Sequence, residues 1–289
     1  MAECGTRDPE PSRVLGKASG FDPRRVYTAL LLIPALYGVI HFLPPVASTV
    51  LVFVISSLAL IEYYRLFFHD RRNVLLTGIG LLTMALWFTA YHTGGPRIEY
   101  LFAGVVAALL FPLMAPTNLK HHLVDSAVTV TGVLYIGVAM SYLIVIRSFP
   151  AGDELVLFLL LITWAADTGA YYVGKTLGRR PLAPAISPKK TVEGLFGGLG
   201  LAILAAWVAR DWIAGLPMTL IDYVWLGSLI TIAGLAGDLA ESALKRSVGV
   251  KDSGGLLPGH GGMLDRIDSL LFTGPAFYYY VSYSGIPAS

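Results

Sequence analysis

Apolar residues fill most of the chain in blocks about 17–25 residues long, separated by short polar stretches, and a helix of that length matches the hydrocarbon core of a bilayer. Nine blocks can be drawn, at 26–43, 46–64, 74–92, 98–114, 123–147, 154–173, 192–213, 219–243 and 266–284. The pattern predicts an all-α, polytopic integral membrane helix bundle with about nine transmembrane helices. Residues 1–25 are polar, with Pro, Gly and charges, and read as a tail. Arg24-Arg25 ahead of "VYTALLLIPALYGVIHFL" has the outline of a secretory or twin-arginine signal. The block is long for a signal and keeps its place in the topology, so an uncleaved first helix is expected.

Composition supports the membrane reading: 55% of residues are hydrophobic and only 14% charged, against about 25% charged in soluble domains. The lone cysteine, Cys4, excludes intramolecular disulfides and Cys-based metal sites. A net charge of +2 is too mild to suggest nucleic acid as a partner.

The placement of the charges says more than their sum. Lys and Arg accumulate in cytoplasmic loops. With the N-terminus cytoplasmic, all of them except Arg97, Arg147 and Arg210 fall in the inner segments 1–25, 65–73, 115–122, 174–191 and 244–266. This predicts a five-span region over 26–147 and a catalytic region over 154–284 with cytoplasmic loops 174–191 and 244–265. The expected location is the cell inner or plasma membrane with the active site facing the cytoplasm. No internal repeat supports an inverted-repeat transporter.

Acidic residues within spans cost roughly 2.5–3.5 kcal/mol on insertion scales, so each calls for a reason. Asp167 lies about seven residues before the inner boundary, on the order of 10 Å deep. Asp238 is comparably placed in the eighth span, and Asp265 and Asp268 open the ninth. Asp238, Glu241, Ser242 and Lys245 follow i, i+3, i+4, i+7 and share a helical face; Asp265 and Asp268, at i and i+3, are expected to point the same way. Carboxylates gathered in one layer repel unless a cation sits among them. Their oxygen-only chemistry favours Mg²⁺ or Mn²⁺ over zinc. Salt bridging to Lys245, Arg246, Lys251 and Arg266 is the plainer alternative, and it leaves the glycines unexplained.

Those glycines lie in "GGLLPGHGG", a backbone able to approach a ligand closely and direct several N–H groups at it. The segment lacks a P-loop's G-x-x-x-x-G-K-[ST]. Together with the surrounding cations and carboxylates it suggests a polyphosphate and Mg²⁺ at one membrane surface. The other rich inner loop offers Ser187, Lys189, Lys190, Thr191 and Glu193 where the seventh span begins, and a helix N-terminus with hydroxyls and ammoniums suits an anion.

Ser242, Lys245, Arg246, Lys251, Asp252, Pro258, His260, Gly261, Gly262, Asp265, Arg266 and Asp268 together resemble the signature of the phosphatidate cytidylyltransferases, without departure. "DTGAYYVGK", "SPKKTVEG" and "GDLAES" are similar to that family's other blocks, so the specific resemblance covers about 163–270. The resemblance implies transfer of CMP from CTP to phosphatidic acid at a lipid bilayer, with Mg²⁺, K⁺ as a second cation, and a homodimer. On that reading Asp238, Asp265 and Asp268 are metal ligands, with Asp167 a further ligand or a supporting group. Lys245, Arg246, Lys251 and Arg266 hold phosphates, with Lys189, Lys190 and Ser187 of second rank. Ser242, Gly261 and Gly262 line the substrate, and His260 orients the loop or contacts the nucleotide. Tyr171, Tyr172 and the aromatics at 277–283 read as interfacial anchors.

Two rivals share the membrane-embedded nucleotide site, a CDP-archaeol synthase and a polyprenol kinase. From another class, intramembrane carboxylates suit an ion-coupled transporter, although here they crowd one face. A CDP-alcohol phosphotransferase would need an Asp-x-x-Asp-Gly-x-x-Ala-Arg run, which the sequence lacks.

Overall fold

The computed structural model describes residues 23–68, 74–91, 93, 95, 97–111, 119–210, 218–254 and 261–284. The tail to residue 22 and His260, with the rest of 255–260, lie outside the described residues. The chain is mostly helical: α1 (Pro23–Phe42), α2 (Pro45–Phe67), α3 (Val74–Ala90), α4 (Ile98–Leu110), α5 (Leu119–Gly132), a π-helical segment (Val133–Val138), α6 (Ala139–Arg147), α7 (Gly152–Leu177), a hairpin of β1 (Pro181–Ala183) and β2 (Ser187–Thr191), α8 (Val192–Val208), α9 (Leu220–Ser247), α10 (Leu264–Ile267) and α11 (Leu270–Tyr283).

Each apolar block of the sequence coincides with helix among the described residues. Four helices are long and apolar enough to cross a membrane: Pro45–Phe67, Lys120–Arg147, Gly152–Leu177 and Leu220–Ser247. Val74–Ala90, Ile98–Leu110 and Val192–Val208 are shorter apolar helices. Val50, Val54, Phe102, Leu123, Trp225 and Ile232 all point outward. A belt of large apolar side chains on the outer surface suits hydrocarbon rather than water, and the protein is an integral membrane protein.

Local chemistry marks the helix ends. Pro45 stands at the first turn of α2, where its missing N–H costs nothing. Thr219 and Asp222 form a capping box at the start of α9, and the Tyr280 hydroxyl donates to the other oxygen of Asp222 at 2.6 Å, joining α9 to α11. In the core, Leu60, Tyr64, Met84, Ile136, Met140, Leu159 and Phe277 are fully buried. Two of the core aromatics place their polar atoms on partners: Tyr64 donates to the Thr129 carbonyl at 2.8 Å and Trp87 to Ser141 Oγ at 3.1 Å. Helices α7 and α8 pack very closely because small residues face each other. A Cβ on Gly169 would collide with the Gly197 carbonyl, and one on Gly197 with Val173.

The structure adds detail to the expected architecture in two places. The bundle is not purely α: β1 and β2 pair antiparallel, Pro181 with Thr191 and Ala183 with Ser187. Pro181, Pro184 and Pro188 deny a helix its N–H donors there. The ninth block is not one helix, since α10 stops at Ile267 and α11 starts at Leu270. Between them Asp268 Oδ1 accepts the Ser269 N–H at 2.7 Å, a local side-chain bond of the kind that competes with the helical ladder.

Candidate active site

The polar face of α9 is built as its spacing requires. Lys245 Nζ lies 2.5 Å from Glu241 Oε2, an i, i+4 ion pair without hydrogen-bond alignment at Glu241. One turn earlier the Ser242 hydroxyl reaches toward Asp238 Oδ1 at 3.4 Å. Glu241 and Ser242 are buried and Asp238 half-buried, so this face turns into the protein.

Two neighbouring elements each complete an ion pair on that face. Lys190 on β2 places its ammonium 2.5 Å from Asp238 Oδ2. Successive strand residues point to opposite sides, and Lys189 is exposed while Lys190 is half-buried. The hairpin is braced by Glu193, whose Oε2 accepts the N–H groups of Arg179 and Arg180 at 3.0 and 3.2 Å. Thr191 caps α8 by accepting the Gly194 N–H at 3.1 Å. From α10, Asp265 Oδ1 accepts from Lys245 at 2.6 Å, while Oδ2 takes the N–H groups of Gly262 at 2.8 Å and Ser253 at 3.1 Å. Burial works against ionisation of Asp265, but the adjacent Glu241 carboxyl, the Lys245 ammonium and the Gly262 N–H together hold it well below the usual carboxylate range.

The four aspartates therefore fall into two groups. Asp167 and Asp268 lie within electrostatic reach of Asp238 and Lys190. Asp265 keeps company with Lys245 and Glu241 instead, so Asp265 and Asp268 do not share one set of partners as their spacing suggested. Among the described residues no three His, Cys, Asp or Glu side chains gather tightly enough to hold an ion by themselves. The carboxylate oxygens are the donor type that Mg²⁺ takes, one or two at a time, together with substrate phosphates. In the structure Asp238 and Asp265 each pair with an ammonium, Lys190 and Lys245, so the salt bridging weighed as the plainer alternative is present at both.

The remaining predicted residues surround this core. Ser187 opens β2 half-buried. Arg246, Lys251 and Arg266 are exposed, and Arg246 donates to the Val250 carbonyl at 2.7 Å, closing its own turn. Gly261 has φ +78°, a conformation that favours glycine. At Gly262 a Cβ would overlap Ser253 Oγ and the Glu62 carboxylate. Tyr171 and Tyr172 are exposed on α7.

Sequence reasoning missed two contributors from α2 and the π-helical segment. Glu62 on α2, only 1% exposed, accepts from Leu264 N at 2.9 Å and from Ser253 Oγ at 3.2 Å. Tyr135, on the π-helical segment, brings a buried hydroxyl into the field of Glu241, Asp268 and Asp238. A lone Glu in an apolar span was the available signal for the first. Nothing in the sequence marked the second.

The chain matches the cytidylyltransferase family over residues 23–284. It is similar to a phosphatidate cytidylyltransferase of Bacillus subtilis (strain 168), 36% identical over 240 residues, covering 80% of this chain and 87% of that protein. One from Staphylococcus epidermidis is 42% identical over 175 residues, covering 58% of this chain and 65% of its own length. One from Synechocystis sp. is 50% identical over 135 residues, covering 47% of this chain and 45% of its own length. With the acid–ammonium layer and the α2 residue that reaches it all inside the matched range, the chain belongs to the cytidylyltransferase family.

Proposed function

We propose that this protein is a phosphatidate cytidylyltransferase, converting CTP and phosphatidic acid to CDP-diacylglycerol and pyrophosphate. The observation that carries the reading is the docking of one lysine from each rich inner loop, Lys190 and Lys245, on aspartates of one layer, in a chain of this family. In the reaction an oxygen of the lipid phosphate forms a bond to the α-phosphorus of CTP. The bond from that phosphorus to the β-bridging oxygen breaks, and its electrons leave with pyrophosphate. The lipid phosphate is already ionised at neutral pH, so no general base is required.

Both reactants are polyanions, so the protein's task is to neutralise charge and align. Asp238, Asp265, Asp268 and Asp167 would hold Mg²⁺ or Mn²⁺, which when bound supplies charge neutralisation and orientation of phosphate oxygens. Lys190 and Lys245 can exchange their aspartate partners for phosphate oxygens as substrate arrives, while Arg246, Lys251, Arg266 and Lys189 offer further cations at the rim. Ser187 and Ser242 add hydroxyls, and the Gly261–Gly262 backbone leaves room for close approach. The Lys/Arg asymmetry supports nine spans with the N-terminus cytoplasmic and this layer on the cytoplasmic side, five spans over 26–147 and four over 154–284.

The test is incubation of purified protein with CTP, Mg²⁺ and phosphatidic acid, with products identified by mass. CDP-diacylglycerol and pyrophosphate are expected. CDP with a phosphorylated lipid would instead indicate a polyprenol-kinase-like γ-phosphoryl transfer, and electrogenic flux without CTP turnover a transporter.

A further inference from the structure

Glu62 belongs to none of the motifs around the acidic layer, yet it holds both ends of the signature loop. Its Oε2 accepts from the Ser253 hydroxyl at 3.2 Å, just before the glycine-rich segment, and from the Leu264 N–H at 2.9 Å, where α10 begins. Leu264 N–H is one of the groups that a helix start leaves without an intrahelical acceptor. The loop is shaped around the carboxylate: a Cβ on Gly254 would stand 2.7 Å from Glu62 Oε1, and one on Gly262 would overlap Oε2. The same loop ends also bind Asp265, through the N–H groups of Ser253 and Gly262. Asp265 in turn carries Lys245. Glu62 and Asp265 thus clamp one short loop from two sides, and only Asp265 belongs to the signature.

An acidic side chain buried this deeply in an apolar span is costly unless its acceptors are used. Here Oε2 is used on residues 253 and 264, while Oε1 is buried without a hydrogen-bond partner among the described residues. We infer that Glu62 is a positioning residue of the active site: through Ser253 and Leu264 it fixes the segments on either side of 255–260 whose Ser253 and Gly262 N–H groups hold Asp265, the partner of Lys245. The inference rests on the proposed function for its kinetic consequence, but the loop contact itself can be tested independently.

The experiment compares wild type, E62A and E62Q in lipid nanodiscs, by steady-state kinetics with CTP, Mg²⁺ and phosphatidic acid and by hydrogen exchange of peptides covering 253–264. Misplacement of reacting groups by 1 Å can cost about 100-fold, so E62A is expected to lose about that much in kcat, with the KM for CTP within about threefold. Gln retains a carbonyl acceptor, so E62Q should recover most of the loss. Exchange in 253–264 should rise in E62A while peptides from α3 and α4 stay as in wild type. Wild-type kcat in E62A, an E62Q variant as impaired as E62A, or exchange raised throughout the bundle would each overturn the inference. If the wild type makes no CDP-lipid, the function proposal fails, and the exchange comparison still decides: unchanged protection of 253–264 in E62A refutes the clamp, and a local rise supports it.

Discussion

Asp238 is the residue where inner loop 174–191 meets α9, with Lys190 on one oxygen and Ser242 of the same helix near the other. Replacing it by Asn keeps the size and removes the charge. Asp238→Asn is expected to lower CDP-diacylglycerol formation by about 100-fold or more while membrane insertion and thermal unfolding stay as in wild type; near-normal turnover would remove Asp238 from the metal set. Lys190→Ala takes away the cation that neutralises Asp238, and the KM for CTP should rise by about tenfold with little loss of stability. A CTP affinity indistinguishable from wild type would count against its contact with nucleotide. Much of this was legible in advance, because i, i+3, i+4, i+7 spacing on α9 is a property of the chain. The pairing of Lys190 rather than Lys189 with Asp238 was not, because it depends on which side of β2 faces α9.

Among the elements, the close packing of α7 on α8 sets where the hairpin leaves the bundle. Gly197 has no room for a Cβ against Val173, whereas Gly200, one turn further along α8, has nothing within 4 Å of that position. Gly197→Ala should therefore lower thermal stability. Gly200→Ala should be neutral or stabilising by up to about 1 kcal/mol from reduced backbone entropy, and a comparable loss for both variants in a melting experiment would refute the packing argument. The elements that sequence reasoning misjudged have identifiable causes. The expected loop 174–191 carries a short hairpin, whose pairing of residues 181–183 with 187–191 has no alternating pattern in the sequence. A turn at Asp268 and Ser269, with αR dihedrals throughout, lies between α10 and α11. Neither the π-helical segment nor its Tyr135 has a hydrophobic period of its own, so both were hidden inside an apolar block.

For the whole molecule the charge asymmetry predicts which face is cytoplasmic, and the single cysteine at position 4 allows a direct check. A membrane-impermeant maleimide should label Cys4 in inside-out vesicles and leave it unlabelled in right-side-out vesicles; the reverse pattern would invert the topology and put the acidic layer on the outer face. The sequence by itself determined the helical membrane architecture, the segment carrying the chemistry and the family signature, because block length, charge placement and residue spacing are all read along one dimension. Only the tertiary structure decided which carboxylate meets which ammonium, and that Glu62 reaches Ser253 and Leu264 across 191 and 202 residues of chain. Those contacts arise from how α2 packs against the short α10 and its loop. No local period or motif encodes that packing, since many helix arrangements would bury the same apolar faces.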